Sequence, residues 1–224
     1  AWKFANKFIP IRTYINLSKD EHILKITKKE VDKDLIITTK HLIKHIKLDS
    51  YSKVTNNSSK AFIKVDDNDK ITSIHIQDEE KYISIITEEG KAMTFEVSEI
   101  GILGSGGSKG RLAIPKQQNI FKSFLTENLD EELLMITDSG RGRSINIQDD
   151  IEMKKISQSP NKLFELSVSK HGNVLDYLLL NKKTYSFISE SNDIIHLTKE
   201  ELTSKIRVVK GSCQILDFNI ISIK

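Results

Sequence analysis

Short apolar stretches of two kinds recur along the chain and predict β-strands. KITSIHI and RSINI alternate apolar with polar residues, which is typical of strands buried on one face. LLMI and YLLL are continuously apolar, which is typical of strands buried on both faces. Gly90, Gly140 and Asn192 stand at predicted hairpin turns, and these residue types tolerate the positive φ that such turns require. The pattern predicts an all-β fold.

One segment, residues 34–48, permits a second interpretation. Its sequence, DLIITTKHLIKHIKL, has apolar residues at roughly helical spacing and could form an amphipathic helix. Its β-branched residues and its alignment with the other hairpins favour two strands. We therefore predict a hairpin here, and a short helical turn only at Lys199–Lys205.

The strand pattern repeats about every 50 residues. An offset of 50 aligns residues 83–100 with residues 133–151 and places Thr87 on Thr137. An offset of 49 upstream places Thr38 on Thr87. Repetition at this period predicts an array of similar units, each of which buries its apolar face against its neighbours.

The second half of each repeat contains two further predicted strands. Lys60–Val65 aligns with Lys109–Ile114, and a terminal strand follows each copy, as in Ile71–Ile76 and Ile120–Leu125. Four strands in a unit of about 50 residues is typical of a propeller blade. We predict a single domain over residues 1–224, with the end of a linker at 1–11 and repeats near 12–33 (partial), 34–81, 82–131, 132–183 and 184–224.

The composition limits the classes of protein and partner. A chain of 224 residues, 38% of them hydrophobic, can bury the core of one large β domain. With a net charge of +3, it would bind a polyanion only where its lysines cluster. The lone Cys213 excludes an internal disulfide and fits a reducing compartment, and no apolar run predicts a membrane helix. Because the sequence begins AWKF, without an initiator Met or a signal peptide, we expect a piece of a longer protein.

The glycine-rich segment Gly101–Gly110, GILGSGGSKG, invites comparison with nucleotide-binding loops. It lacks the Lys-Ser/Thr pair of a phosphate-binding loop, and its glycine spacing does not fit GxGxxG. It also leads into a predicted strand, so no helix N-terminus would face a phosphate. Two interpretations stay open: a flexible connection between strands, or a loop whose backbone amides, with Lys109 and Arg111, contact a nucleic-acid backbone.

No set of residues predicts catalysis, a metal site or a cofactor. His41 and His45 stand four apart, but HLIKH lacks the glutamate of HExxH and lies in a predicted hairpin. Paired carboxylates such as Glu88-Glu89 fall near turns and strand ends, where water solvates them. Cys213 is expected to be a small packed residue rather than a nucleophile. We therefore expect a noncatalytic domain with no cofactor and no metal.

Basic residues recur at equivalent positions of successive repeats. Some follow the hairpin turns, and others lie in the second half of a repeat. Stacking of the repeats around an axis would bring these positions to one rim, along which DNA phosphates could lie. The alternative is that they are ordinary solvated charges. The candidate DNA-binding residues are Lys60, Lys91, Lys109, Arg111, Arg141, Arg143, Lys162, Lys205, Arg207 and Lys210.

The order of these features resembles a known family. A strand ending in Thr, a turn glycine, a basic residue, a second strand and a glycine- and lysine-rich loop follow one another in YISIITEEGKAMTFEVSEIGILGSGGSKGRLAI, and the first part recurs in ELLMITDSGRGRSINI. This order is similar to that of the C-terminal domains of bacterial type IIA topoisomerase A subunits, from gyrase and topoisomerase IV. The opening FIPIRTYINLSKDEHILKI and the ending IIHLTKEELTSKIRVVKGSCQILDFNIISIK resemble the topoisomerase IV form.

The resemblance implies a fold and a function. The fold is a β-pinwheel, a propeller-like array of about four to five four-stranded blades that exchange strands, here with a truncated first blade. The function is noncatalytic: the domain binds and bends double-stranded DNA along a basic outer edge and positions a duplex segment for strand passage in decatenation and supercoil relaxation. The implied partners are the N-terminal catalytic region of the same subunit and the ATPase B-type subunit, in the bacterial cytoplasm at the nucleoid.

The sequence also departs from the family pattern. It has no box rich in glutamine, arginine and glycine, which the gyrase form carries, so topoisomerase IV is the closer analogy. The glycine- and lysine-rich loop is kept well only in Gly104–Arg111. A propeller that binds a protein partner and no nucleic acid is therefore the alternative function.

Overall fold

The computed structural model describes residues 17–26, 32–51, 59–104, 107–138, 142–163, 172–188, 194–202 and 219–220, which contain fourteen β-strands. In chain order these are β1 Asp34–Thr39, β2 Leu42–Lys47, β3 Ile71–Gln77, β4 Tyr82–Thr87, β5 Lys91–Glu96, β6 Arg111–Leu112, β7 Ile120–Thr126, β8 Glu132–Thr137, β9 Gly142–Asn146, β10 Asn161–Lys162, β11 Val174–Leu179, β12 Thr184–Ile188, β13 Ile194–Thr198 and β14 Asn219–Ile220. Two short 3₁₀ helices, Leu48–Tyr51 and Val97–Glu99, and the α-helix α1, Ile147–Asp150, each follow the second strand of a hairpin.

The strands form four antiparallel sheets, which we call blades one to four. Their strand orders are β3-β1-β2-β6, β7-β4-β5-β10, β11-β8-β9 and β14-β12-β13. In each blade the first hairpin strand lies between its hairpin partner and the terminal strand of the same repeat. The all-β, propeller-like fold is confirmed, and so is the hairpin at 34–48, in which β1 pairs with β2. The described part of the partial repeat, residues 17–26, contains no strand.

The fourth strand of blades one and two comes from the following repeat. β6 pairs with β2, with Leu42 opposite Leu112, and β10 pairs with β5, with Lys91 opposite Lys162. Each hairpin thus receives an edge strand from a segment that lies beyond the next hairpin in sequence. This exchange is the strand exchange that the family resemblance implies.

A buried threonine closes the first strand of each of the first three hairpins. Oγ1 of Thr39 accepts a hydrogen bond from the amide of Leu42, and Oγ1 of Thr87 accepts one from the amide of Lys91, each at 3.2 Å. The strand registers therefore make Thr39 the equivalent of Thr87. The sequence alignment, which matched Thr38 with Thr87, is wrong by one residue. The reason is that the turn of the first hairpin is one residue shorter than the Gly90 turn, in which Gly90 has a φ of 71°.

Hydrophobic clusters lie between consecutive blades. The hairpin strands β1, β4 and β8 are buried on both faces, which explains their continuous apolar runs. The clusters include Ile36 and Phe95 between blades one and two, Ile86 and Leu133 between blades two and three, and Leu134 and Tyr185 between blades three and four. Apolar burial of this kind, at about 25 cal/mol per Å², holds neighbouring blades together.

A polar seam joins blade one to blade two where β3 lies against β7. Nε2 of His75 lies 2.9 Å from Oγ of Ser123, and the amide of Ser123 donates to Oγ of Ser73 at 3.0 Å. Oγ1 of Thr38 lies 3.1 Å from the same Ser123 hydroxyl. The terminal strands therefore meet between blades, and the exchanged strands lie at the opposite edge of each sheet.

The seam should make stability depend on pH. Burial lowers the pKa of His75 to about 4, and the charges of Lys25 and Lys122 act in the same direction, whereas the hydrogen bond with Ser123 opposes the shift. Histidine in the unfolded chain titrates near 6.5, so the unfolded state binds the proton first as the pH falls. The stability that neutral His75 contributes is complete above that pH and is lost between 6.5 and about 4.

We predict that His75→Gln flattens this part of the profile. The glutamine amide can still donate to Ser123 but does not titrate, so the wild type should lose up to about 3 kcal/mol more than the variant over this interval. Urea denaturation at several pH values measures the difference. Parallel profiles for the two proteins would contradict the prediction.

Candidate nucleic-acid interface

Six of the ten candidate DNA-binding residues lie in the part of the chain that the structure describes. Lys60, Lys109, Arg111, Arg143 and Lys162 are exposed, and Lys91 is half-buried. The other four, Arg141, Lys205, Arg207 and Lys210, lie outside the described residues. The role of all ten stays a prediction, so the question is which of the six share a surface.

Strand exchange brings together Lys91 and Lys162, which belong to different repeats. They stand directly opposite each other in the β5–β10 pair. Directly opposite residues of an antiparallel pair lie on the same face, with Cβ atoms about 5 Å apart, where like charges are unfavourable. An anionic group bound beside both ammonium groups would offset that repulsion. In blade one the same positions hold Leu42 and Leu112, so the charged pair distinguishes blade two.

The glycine-rich loop is attached on two sides. The amide of Gly107 donates to the carbonyl of Ala61 at 3.1 Å, and the amide of Lys64 donates to the carbonyl of Ser108 at 3.1 Å. At the start of β6 the backbone passes very close to β2. A Cβ added to Gly110 would lie only 2.5 Å from the carbonyl oxygen of Ile43. Contacts on both sides favour a positioned loop over a merely flexible connection.

The loop presents two exposed lysines, one of which has an acidic partner. Lys109 forms an ion pair with Asp66, with 2.7 Å between Nζ and Oδ2, and the side chains are 52% and 59% exposed. Surface pairs of this kind contribute about 0–1 kcal/mol, so a phosphate can compete with the carboxylate. Lys64 is also exposed, and its amide contacts the residue before Lys109. Lys64 was not among the candidates because Lys60–Val65 was predicted to be a strand, whereas the structure has no strand there.

Arg111 is exposed, but its guanidinium also makes hydrogen bonds within the protein. Its Nη1 donates to the carbonyl oxygens of Glu99, at 2.6 Å, and Ile100, at 2.8 Å. The guanidinium therefore holds the end of the 3₁₀ helix Val97–Glu99 against β6. Substitutions of Arg111 would disturb this turn, which makes the lysines better probes of DNA binding.

The two remaining described candidates lie apart from the pair and the loop. The ammonium of Lys60 lies 5.3 Å from the ring centroid of Tyr51, a cation–π distance. Arg143 is exposed on β9 in blade three, opposite Met135. The structure thus brings together two groups: Lys91 with Lys162, and Lys64 with Lys109.

Other kinds of site find no support among the described residues. These residues contain no group of three His, Cys, Asp or Glu side chains that could hold a metal ion. Nε2 of His45 lies 2.8 Å from Oδ2 of Asp34, and Nδ1 of His41 lies 2.8 Å from the carbonyl oxygen of Gln118. Both histidines therefore already have hydrogen-bond partners within the protein. One open cleft contains the carboxylates of Asp34, Asp78, Glu79, Glu80 and Glu96, which disfavour a polyanion there. A second is lined by Asp149, Asp150 and Glu152 together with Lys162 and apolar residues. No described helix is long and apolar enough to cross a membrane.

The chain matches a family model described as the DNA gyrase C-terminal domain, a β-propeller, over residues 35–78, 81–115 and 131–157. The matched segments contain the hairpins of blades one, two and three. In these segments the chain is therefore similar to the gyrase A-type C-terminal domain family. Domains of this family are noncatalytic, as expected from the sequence. Comparison with curated protein sequences gives no match.

Solved structures of three such domains are similar to this chain. The C-terminal domain of DNA topoisomerase IV superposes with a TM-score of 0.71 at 17% identity, covering 92% of this chain and 65% of that one. The DNA gyrase A C-terminal domain gives 0.69 at 20% identity, covering 85% and 65%. The E. coli ParC C-terminal domain gives 0.52 at 13% identity, covering 80% and 74%. At these identities the likeness concerns the fold, and this chain spans about two thirds of the first two domains.

The close approach at Gly110 provides a test of strand exchange. Gly110→Ala should push β6 away from β2 and destabilise the chain by about 1–3 kcal/mol, as overpacking does. Gly104→Ala is the matched control, because no atom outside its chain neighbours lies within 4 Å of an added Cβ there. Chemical denaturation of both variants measures the difference. Equal stabilities would show that β6 does not dock on β2 as described.

Proposed function

We propose that the chain binds and bends double-stranded DNA as the C-terminal domain of a type IIA topoisomerase A subunit, with topoisomerase IV as the closer form. The observation that carries the proposal is the pairing of β5 with β10, which places Lys91 opposite Lys162 at the edge of blade two. The similarity of three segments to the gyrase A-type family model supports the same function. The absence of the gyrase-type glutamine- and arginine-rich box from the sequence supports the topoisomerase IV form.

Affinity would come from phosphates rather than from bases. Each lysine that neutralises a phosphate releases condensed counterions, so binding is favoured at low salt and tolerates any sequence. Exchanged strands recur at the same edge of successive blades, so a duplex following them must curve. Deformable sequences would bend at lower cost and would be preferred without any base contact.

The role in the whole protein follows from the resemblance. The domain would hold a curved duplex segment and present it to the N-terminal catalytic region of the same subunit, with the ATPase B-type subunit as the further partner. Strand passage would then serve decatenation and supercoil relaxation. Such a complex works in the bacterial cytoplasm, at the nucleoid.

A salt series tests DNA binding directly. Affinity for a linear duplex should fall steeply with salt, with a slope of log K against log salt of about −3 to −4 if four lysines contact phosphates. Removing two of them in K91Q/K162Q should lower the affinity and reduce the slope by about 2.

The matched control for this variant is K182Q/K183Q. These exposed lysines lie between β11 and β12, away from the exchanged strands, and their replacement removes the same charge. The slope of log K against log salt for K182Q/K183Q should stay near that of the wild type. Absence of binding at low ionic strength, or affinity that does not respond to salt, would refute the proposed function.

The ion pair between Lys109 and Asp66 predicts a variant that binds more tightly. Asp66→Asn removes the carboxylate that competes with phosphate, so duplex affinity should rise by about 1.5- to 5-fold, the range expected from a surface ion pair. Asp67→Asn removes the same charge from the next residue and is the control for net charge. Fluorescence anisotropy with a labelled duplex measures both. An equal rise in the two variants would show that Lys109 does not contact DNA.

A protein-binding function has one observation in its favour. Ile102 and Met153 are 48% and 44% exposed, and they occupy equivalent positions, each bridging the hairpin of the preceding blade at His45 or Thr94. Repeated exposed apolar residues suit a protein partner. Under this alternative, I102S/M153S would abolish partner binding, nuclease would not, and the salt series would show no DNA binding.

A further inference from the structure

A lysine is completely buried beneath the glycine-rich loop. Lys44 lies in the middle of β2 and is 0% exposed. Its Nζ donates to the carbonyl oxygen and to Oγ of Ser108, each at 2.9 Å. Ser108 directly precedes Lys109. The ammonium therefore reaches from the hairpin of blade one into the loop that the next repeat contributes.

Burial of this charge is unfavourable unless the loop solvates it. Transfer of an ammonium group from water into a protein interior is costly without hydrogen-bond acceptors. Burial lowers the pKa of Lys44 for this reason. The oxygens of Ser108 supply acceptors, so the lysine and the loop stabilise each other's position.

Packing of the blade does not require a lysine at this position. The residue of blade two that is equivalent to Lys44 is Met93. Lys44 pairs with Ile37 in the first hairpin, and Met93 pairs with the equivalent Ile85 in the second. Met93 is also 0% exposed. An uncharged side chain of similar length thus fills the same site in a blade without the glycine-rich loop. The buried ammonium group is therefore found in the blade that has the glycine-rich loop and is absent from the equivalent position of blade two.

Ser108 connects Lys44 to both exposed lysines of the loop. Its carbonyl oxygen accepts from Lys44 and from the amide of Lys64, and Lys109 follows it in the chain. Loss of the buried ammonium would remove two hydrogen bonds to Ser108 and leave the loop with fewer attachments. Lys64 and Lys109 would then sample more positions and pay more conformational entropy on meeting phosphates.

We propose that Lys44 is a positioning residue of the DNA-binding surface, which holds Ser108 so that Lys64 and Lys109 meet DNA phosphates together. This inference rests on the proposed function. Lys44 is buried and touches no phosphate. Its effect on affinity therefore passes through the loop.

Two variants separate positioning from charge. Lys44→Met inserts the side chain that blade two already uses, and Ser108→Ala removes an acceptor of the loop without changing any charge. Each is made in the whole chain and measured for hydrogen–deuterium exchange, for affinity to a linear duplex, and for its unfolding midpoint. K109Q and the double variant K44M/K109Q complete a cycle.

We expect faster amide exchange at residues 107–110 in both variants, with exchange in β4 and β5 unchanged. Duplex affinity should fall about two- to tenfold in K44M, with a salt slope smaller by about 1, and less in S108A. The double variant should bind more weakly than K109Q, but by less than the full effect of K44M, because K109Q already removes one of the two contacts that Lys44 positions.

Three results would overturn the inference. Exchange at 107–110 that is unchanged in K44M would show that the lysine does not hold the loop. If K44M lowers duplex affinity while S108A leaves it unchanged, the effect comes from charge alone. The same conclusion follows if the losses of affinity in K44M and K109Q add fully in the double variant. Failure of the wild type to bind DNA would refute the proposed function instead, and the exchange data would still decide whether Lys44 holds the loop.

Discussion

The pairing of a short exchanged strand with the hairpin of the preceding blade is the interaction on which the rest of the arrangement depends. β6 and β10 contribute only two residues each, yet they fill the open edges of β2 and β5. Because the segment must cross to another blade, it draws neighbouring repeats together, and the hydrophobic clusters between blades form around that crossing. At one crossing only glycine fits, since Gly110 lies against the backbone of β2.

The exchanged strands also explain why the blades are not equivalent. In blade one the crossing is lined by leucines and carries the glycine-rich loop over a buried ammonium. In blade two the loop is missing and a pair of lysines stands at the same place. A repeated framework thus offers phosphates two different kinds of contact. Divergence of this kind leaves the fold intact because the exchanged strands pair through their backbones, whatever side chains they carry at the edge.

The sequence predicts most of the hairpins because their signals are local. Apolar runs and the turn glycine Gly90 specify strand, turn and strand without reference to the rest of the chain. The first hairpin lacks that glycine and has a shorter turn, which is why its threonine was assigned one residue too early. Two-residue strands have no periodicity, so the partner of Lys91 could not be read from the sequence. The burial of Lys44 could not be read either, because a lysine in an apolar strand is usually assumed to reach water.

The central claim is that DNA lies along the exchanged strands. Chemical acylation of lysines, followed by mass spectrometry with and without a linear duplex, tests it most directly because it reports on each side chain separately. The account predicts that the duplex protects Lys64, Lys91, Lys109 and Lys162 at low salt, that high salt removes this protection, and that Lys182 and Lys183 react equally in both states. Unchanged reactivity of the four lysines, or protection centred on Lys182 and Lys183, would contradict it.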